Sequence, residues 1–319
     1  MNRRHAISAL GAVAISARAA FAQAAPQRVT PEVATARLKP GARPLLCAYS
    51  GCFAKIPYPQ LPEIVGAMGY DGMDLTVMPG GHVDPSRYMV DLDRAFQTFQ
   101  DAGIELPMVT TNFVSPSQNY AYAILYVSAE LGARFCRLGV WPPPLQTEVS
   151  GQLATIRAAM MRNDLVQFAA TGLRCNITPL LANHAGSYPG RSIPEVEAML
   201  TGIEPKAFGY CFDPVQAIME GRAANAWEAA LQEALPRLGA VALSDVTIDP
   251  DPDGTVKPRL CALGEGVIDW KKFFSALAAA RFHGPVSMHM DYAPTSAVNA
   301  MKKDLAFARA RVDEAWPVS

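Results

Sequence analysis

Short apolar segments alternate with longer amphipathic segments along this chain, and the alternation repeats eight times between Leu45 and Arg311. The apolar segments predict strands at 45–49, 72–77, 106–111, 135–140, 173–178, 208–212, 241–246 and 285–290. The amphipathic segments predict helices near 59–68, 91–102, 118–131, 147–170, 194–201, 223–235, 269–280 and 295–311. Strands that are apolar on both faces and alternate strictly with helices are typical of a parallel sheet covered by helices.

The number and length of these units predict a closed barrel in a single domain. Eight strand–helix units in about 265 residues have the size of a (β/α)8 barrel, the α/β fold called a TIM barrel. We expect the barrel over residues 44–312, preceded by an extended lead-in over 26–43. Because such barrels carry their chemistry at the C-terminal ends of the strands, those ends are where a site is expected.

The first 25 residues have the composition of an export signal. Arg3 and Arg4 precede an Ala-rich apolar stretch, and small residues at Ala22 and Ala24 suit cleavage. We therefore expect a cleavable signal peptide over 1–25, whose apolar run is too short for a stable membrane anchor. The paired arginines favour the twin-arginine route to the periplasm, with an ordinary secretory signal or an uncleaved anchor as alternatives.

Composition narrows the partners and cofactors that the chain can take. Half of the residues are hydrophobic and the formal net charge is −1, with no basic run, so nucleic acid is not an expected partner. A small neutral or mildly anionic metabolite fits better, and we expect no nucleotide cofactor. The six cysteines lack metal-ligand spacing, and we expect free thiols that are mostly buried in strands. A disulfide between Cys52 and Cys261 is the alternative for these two residues.

Polar side chains stand at the ends of the predicted strands. They are Asp74, His82, Arg137, Trp141, Asn183, His184, Asp213, Asp245, His289 and Asp291. Polar groups at the ends of buried strands usually belong to a site, so we expect them to converge on one rim of the barrel. Each also has a structural alternative: His82 and Asn183 as loop pins, Asp213 as a helix cap, and Arg137 as the ion-pair partner of Asp74.

Several motifs along the mature chain carry a family resemblance. They are DLTVMPGGHV (74–83), PMVTT (107–111), NHAG (183–186), FDPVQAIMEG (212–221), LGEGVIDW (263–270) and GPVSMHMDY (284–292). In this order they resemble the xylose isomerase-like barrel superfamily of sugar phosphate isomerases and epimerases, and most of all its secreted members. The resemblance implies a carbohydrate-active TIM barrel, although this superfamily hosts several chemistries.

The resemblance also implies a divalent metal, held by a Glu, an Asp, a His and a Glu after strands 5 to 8. In this sequence Asp213 matches the Asp, whereas Leu180 or Ala182, Gln216, Ala242 and His289 stand at other positions of the pattern. His184, Asp213 and His289 could still bind Zn²⁺, Mn²⁺ or Fe²⁺ as two imidazoles and one carboxylate. The alternative is that the metal is lost and these side chains act as acids, bases or hydroxyl binders.

These observations lead to one functional hypothesis and one alternative. The hypothesis is a periplasmic isomerase or epimerase, with a lyase within reach, that removes a proton next to the carbonyl of a sugar or keto-sugar. The base would be His184, Asp245 or His289. The substrate would be bound by Asp74, His82, Arg137, Trp141, Asn183 and Asp291. The alternative is a non-catalytic sugar-binding barrel that has lost the family metal site.

Overall fold

The computed structural model describes residues 42–145, 151–250, 256–292 and 296–317, which fall in one compact unit, Arg37–Ser319. The predicted signal peptide at 1–25 and nearly all of the predicted lead-in at 26–43 lie outside the described residues. Within the described part of the chain, no helix is both long and apolar enough to cross a membrane.

Eight parallel strands close into a barrel, as the alternating pattern predicts. These strands are β1 (Leu46–Tyr49), β2 (Gly72–Val77), β3 (Glu105–Thr111), β4 (Phe135–Arg137), β5 (Thr178–Ala182), β6 (Gly209–Phe212), β7 (Leu238–Leu243) and β10 (Val286–Met288). They follow one another around the barrel in chain order, and β1 pairs with β10 to close it.

Helices follow the strands and cover the outside of the barrel. They are α1 (Leu61–Met68), α2 (Tyr88–Asp101), α3 (Ala121–Leu131), α4 (Gly151–Cys175), α5 (Ile193–Leu200), α6 (Pro214–Gly221), α7 (Ala226–Ala234), α8 (Trp270–Ala279) and α9 (Ala297–Ala315). Asp213 and Asp269 cap α6 and α8 by accepting hydrogen bonds from backbone N–H groups of the first turn. The helix predicted at 223–235 is observed as α7, and α6 between β6 and α7 was not predicted.

The apolar side chains form two separate clusters. The larger cluster lies between the strands and the helices. The smaller cluster packs inside the barrel and consists of Met108, Leu180, Cys211, Ala240 and Ala242. These inward residues come only from β3, β5, β6 and β7. On the other side of the barrel, around β10, β1 and β2, the inward positions include polar residues, of which Asp74 and Ser287 are completely buried.

The strand predicted at 173–178 is wrong. Helix α4 continues to Cys175, and β5 begins only at Thr178. Phe168, Thr171 and Cys175 are buried at helical spacing, so this stretch packs as the last turns of α4. The true strand contains Pro179, opposite Cys136, and a residue without an N–H makes a weak strand signal.

A hairpin interrupts the barrel pattern between β7 and α8. Strands β8 (Asp245–Pro250) and β9 (Val256–Cys261) pair antiparallel, where the sequence predicted no element between the strand at 241–246 and the helix near 269–280. The strand predicted at 241–246 therefore divides between β7, which ends at Leu243, and the start of β8. Cys261 lies at the end of β9, and Cys52 and Cys261 are both free thiols in this structure.

Candidate active site

A buried carboxylate stands at the bottom of the barrel mouth. Asp74, in β2, accepts a hydrogen bond from the Thr110 hydroxyl at 2.7 Å and another from the Ser287 hydroxyl at 2.8 Å. The Ser287 oxygen also lies 3.2 Å from Nε2 of His289. Asp74, Thr110 and Ser287 are all buried. They form a closed layer of hydrogen bonds that supports the imidazole of His289.

A second layer lies above this one and is only half-buried. Arg137 places a guanidinium nitrogen 3.4 Å from Nε2 of His289. The Tyr49 ring stacks on the imidazole, with ring centroids 4.2 Å apart and planes 6° from parallel. The Arg137 guanidinium carbon is 5.3 Å from the Tyr49 ring centroid, within cation–π range. The imidazole of His289 is therefore fixed at one edge and on one face.

The charges in these layers shape one another. Burial raises the pKa of Asp74, and the Arg137 charge and the Thr110 and Ser287 hydroxyls partly oppose that rise. Burial lowers the pKa of His289 well below its ordinary value, and the Arg137 charge acts in the same direction. His289 is therefore a neutral imidazole at physiological pH, next to a guanidinium that stays charged.

Asp213 follows β6 and is tied to the backbone on both sides. Its carboxylate accepts hydrogen bonds from the N–H groups of Val215 at 2.9 Å and Gln216 at 3.2 Å. The Asn183 side chain brackets the Asp213 backbone, accepting its N–H and donating to its C=O at 2.9 Å each. Burial raises the pKa of Asp213 to about 7, and the charge of Asp291 adds to that rise. Burial also raises the pKa of Asp291, although part of its side chain reaches solvent.

The loop after β5 is also held by α6. The Ala185 N–H donates to the Gln216 side-chain oxygen at 3.0 Å, and the Gly186 N–H donates to the Glu220 carboxylate at 3.2 Å. His184 itself packs its ring 4.4 Å from that of Tyr188, and its Nδ1 lies 3.1 Å from the Ala185 carbonyl oxygen. Among the described residues, no hydrogen bond or ring contact joins His184 to His289.

His82 pins the loop after β1 to the loop after β2. Its Nε2 lies 3.2 Å and 3.0 Å from the carbonyl oxygens of Phe53 and Ile56, so Nε2 must carry the proton that it donates. Its Nδ1 then accepts from the Thr76 hydroxyl at 3.1 Å, while its backbone N–H donates to the same hydroxyl. Burial lowers the pKa of His82, which keeps the ring neutral. The DLTVMPGGHV motif thus serves loop geometry, with both nitrogens of its histidine occupied.

Asp245 and Trp141 take structural positions. The Asp245 carboxylate accepts hydrogen bonds from the N–H groups of Val246, Gly264 and Gly266 and from the indole N–H of Trp270. It therefore anchors the glycine-rich turn of the LGEGVIDW motif and leaves little room for a proton-transfer partner. Trp141 is only 6% exposed and belongs to the outer apolar cluster, so almost none of its ring is free for stacking on a ligand.

The structure brings together part of the predicted set and adds three residues. Asp74, Arg137 and His289 meet in one network, whereas His82, His184, Asn183 and Asp245 are bound to loops or helices. Tyr49, Thr110 and Ser287 complete the network, and none of them was predicted as a site residue. Two patterns could have indicated Ser287 and Thr110: Ser287 faces the same way as His289 two residues later, and Thr110 is in register with Arg137.

The model of the family described as xylose isomerase-like TIM barrel matches residues 62–311, which is most of the chain. The chain belongs to this family. All of the motifs on which the resemblance was based fall inside the matched range. No curated protein matches the chain in sequence.

Solved structures of the xylose isomerase-like family share its fold at low sequence identity. A structure of L-ribulose 3-epimerase is 14% identical, with 85% of this chain and 95% of that chain covered and a TM-score of 0.64. A xylose isomerase-like TIM barrel protein from Mycobacterium smegmatis, in complex with magnesium, is 13% identical, with 85% and 97% covered and a TM-score of 0.66. The E. coli 3-keto-D-glucoside 4-epimerase YcjR, in its apo form, is 14% identical, with 84% and 99% covered and a TM-score of 0.64.

The donor set of this family member does not fit a divalent metal. Among the described residues, no three His, Cys, Asp or Glu side chains are grouped so that they could hold an ion. The predicted ligands are engaged elsewhere: Asp213 caps α6, His184 turns to its own loop, and His289 faces Arg137. A guanidinium next to an imidazole nitrogen opposes any cation that would bind there.

Proposed function

We propose that this protein is an enzyme of the sugar isomerase or epimerase type, acting on a sugar or keto-sugar. It would remove a proton next to a carbonyl and return it, on the same or a neighbouring carbon. The observation that carries this proposal is the pairing of Arg137 with the neutral His289 in the half-buried layer of the mouth, above the closed layer around Asp74. Family membership supports the choice of a carbohydrate substrate.

The two side chains supply complementary chemistry. A neutral imidazole can accept a proton at physiological pH. A fixed guanidinium stabilises the negative charge that develops on the carbonyl oxygen when the neighbouring proton leaves. Asp213 stands across the mouth, after β6, as a second carboxyl group that can bind a hydroxyl or exchange a proton. Sugar epimerases among the fold neighbours support this type of reaction.

The predicted export signal adds a preference among sugars. A periplasmic location, which we propose from the composition of residues 1–25, favours unphosphorylated sugars and keto-sugars over cytosolic sugar phosphates.

Solvent-deuterium exchange tests the proposed proton transfer directly. The purified protein is incubated in D₂O with a panel of ketopentoses, ketohexoses and 3-keto-glucosides, and NMR follows loss of the C–H signal next to the carbonyl. We expect exchange on at least one panel member, and a reduction of about 10²- to 10⁴-fold in His289→Gln and Arg137→Met. His283→Gln, in the turn before β10, is the matched control and should exchange at the wild-type rate. Wild-type exchange in the double variant His184→Gln/His289→Gln would overturn the assignment.

A sugar-binding barrel without catalysis is the second candidate. It is favoured by the half of the mouth in which Asn183, Asp213 and Gln216 are all bound to backbone groups. Saturable binding of a panel sugar, with no deuterium exchange over hours, would support this candidate and exclude the first.

A further inference from the structure

At the positions from which its family is expected to hold a metal, this chain has either residues without a donor atom or side chains that are hydrogen-bonded to the backbone. Ala182, at the end of β5, and Ala242, in β7, have no donor atom, and Ala242 packs in the inner apolar cluster. Asp213 caps α6, and Gln216 holds the Ala185 N–H. These four positions therefore serve packing and backbone hydrogen bonds, and their donor atoms do not converge on one point.

The positive charge of the mouth comes instead from Arg137. Its guanidinium lies against the His289 imidazole and over the Tyr49 ring, which fixes it from two sides. Its charge acts on each of the nearby carboxyl groups, because it opposes the raised pKa of Asp74, of Asp213 and of Asp291. The Arg137 guanidinium thus interacts electrostatically with three carboxyl groups: Asp74 in β2, Asp213 before α6 and Asp291 after β10.

We propose that Arg137 takes the place of the divalent cation in this member of the family, and that the mouth binds its ligand without a metal. A guanidinium can donate two parallel hydrogen bonds to adjacent oxygens, as a metal can chelate them. The ligand that suits such a group has a carbonyl and a neighbouring hydroxyl, which deepens the proposed function and rests on it. The exclusion of metal does not rest on turnover, since it follows from the donor set together with the charge of Arg137.

Titration with Mn²⁺ alone tests the exclusion, with electron paramagnetic resonance reporting the free hexaaqua ion. We expect the wild-type protein, stripped with EDTA, to leave the free-ion signal undiminished, and its Tm to stay unchanged on adding metal. A site with a Kd of about 10 µM would instead raise the Tm by several degrees at about 1 mM Mn²⁺. One equivalent of bound Mn²⁺ in the wild type would overturn the proposal, whatever the outcome of the deuterium-exchange experiment.

Two further variants distinguish the effect of the Arg137 charge on metal binding from the effect of the missing ligands. Ala182→Glu restores a carboxylate at the end of β5, and we expect this variant still to bind no Mn²⁺ because Arg137 remains. The double variant Ala182→Glu/Arg137→Met should bind about one equivalent, with circular dichroism confirming that both variants fold. Equal binding by the single variant, or none by a folded double variant, would show that Arg137 does not exclude the metal. The wild-type titration decides the proposal where the double variant fails to fold.

Discussion

The two halves of the barrel mouth solve the burial of polar groups in opposite ways. On the polar half (Tyr49, Asp74, Thr110, Arg137, Ser287 and His289), side chains bind one another. On the backbone-bound half (Asn183, Asp213, Gln216 and Asp245), side chains bind main-chain N–H and C=O groups. Groups that satisfy one another can change partners when a ligand arrives, whereas groups that hold the backbone cannot do so without loosening the fold. The difference agrees with our proposal that Arg137 and His289, on the first half, carry the proton transfer, whereas the second half also holds the loops in place.

Asp74→Ala is expected to have the largest effect on the stability of the polar half. This change leaves the Thr110 and Ser287 hydroxyls without their acceptor and the Arg137 charge without its deepest counter-ion. We expect the free energy of unfolding to fall by about 3–5 kcal/mol, which chemical denaturation measures. Asp74→Asn keeps an oxygen for one hydroxyl and should lose less. A loss below about 1 kcal/mol in Asp74→Ala would show that the network contributes little to stability.

Asp245→Asn tests whether the carboxylate after β7 belongs to the supporting half. The new amide would direct N–H groups at the donors of Gly264, Gly266 or Trp270, so we expect a loss of about 2–3 kcal/mol in unfolding free energy. Denaturation followed by fluorescence reports the loss, because the indole of Trp270 is one of the donors. Lost deuterium exchange with stability intact would instead restore Asp245 to the predicted role of base.

Asn183→Ala tests the clamp on Asp213. Removing the amide leaves the N–H of Asp213 without its acceptor and leaves its C=O with only the Ala217 N–H at 3.3 Å, and we expect a loss of about 1–2 kcal/mol in unfolding free energy. The same change at Asn163, exposed on α4, is the matched control and should be neutral or slightly stabilising, since Ala favours helix. Equal thermal midpoints for both variants would contradict the clamp.

His82→Ala gives the smallest effect and adds a pH signature. The hydrogen bonds of the His82 side chain should contribute about 1 kcal/mol to the free energy of unfolding near pH 7. The folded pKa of His82 lies below the unfolded value of 6.5, so the unfolded chain binds its proton first as the pH falls. The contribution is therefore complete above pH 6.5 and declines below it. Thermal midpoints measured between about pH 7.5 and 5.5 should show the gap between wild type and variant narrowing; a constant gap would contradict this assignment.

Periodicity was enough to predict the barrel, and the errors fell where local signals conflict. β2 was predicted with its observed bounds because its apolar run has turn residues on both sides. β5 was misplaced because Pro179 weakens the true strand and because α4 continues through Leu173-Arg174-Cys175, of which Cys175 is buried. The hairpin β8–β9 was missed because both segments, DVTIDP and VKPRLC, interrupt their apolar residues with charged residues and proline and contain no apolar run.

The rim could be predicted from the sequence, whereas the partners of each side chain could not. Strand ends place Asp74, Arg137, Asp213 and His289 at one mouth, which follows from topology alone. Whether a carboxylate faces a hydroxyl, a guanidinium or a backbone N–H depends on distances of a few tenths of an ångström between strands far apart in sequence. For that reason Asn183 and Asp245 were indistinguishable from site residues before the structure was known.

The hydrogen bond between Ser287 and Asp74 crosses the seam at which the first and last barrel strands meet, and it joins residues 213 positions apart. A ribosome needs about 10 to 40 s to make that length of chain. Until the final strand arrives, Asp74 has no Ser287 and Arg137 has no imidazole beside it. A nascent chain that stalls before β10 therefore lacks this network, and recovery of the proposed proton exchange during refolding would report when β1 and β10 pair.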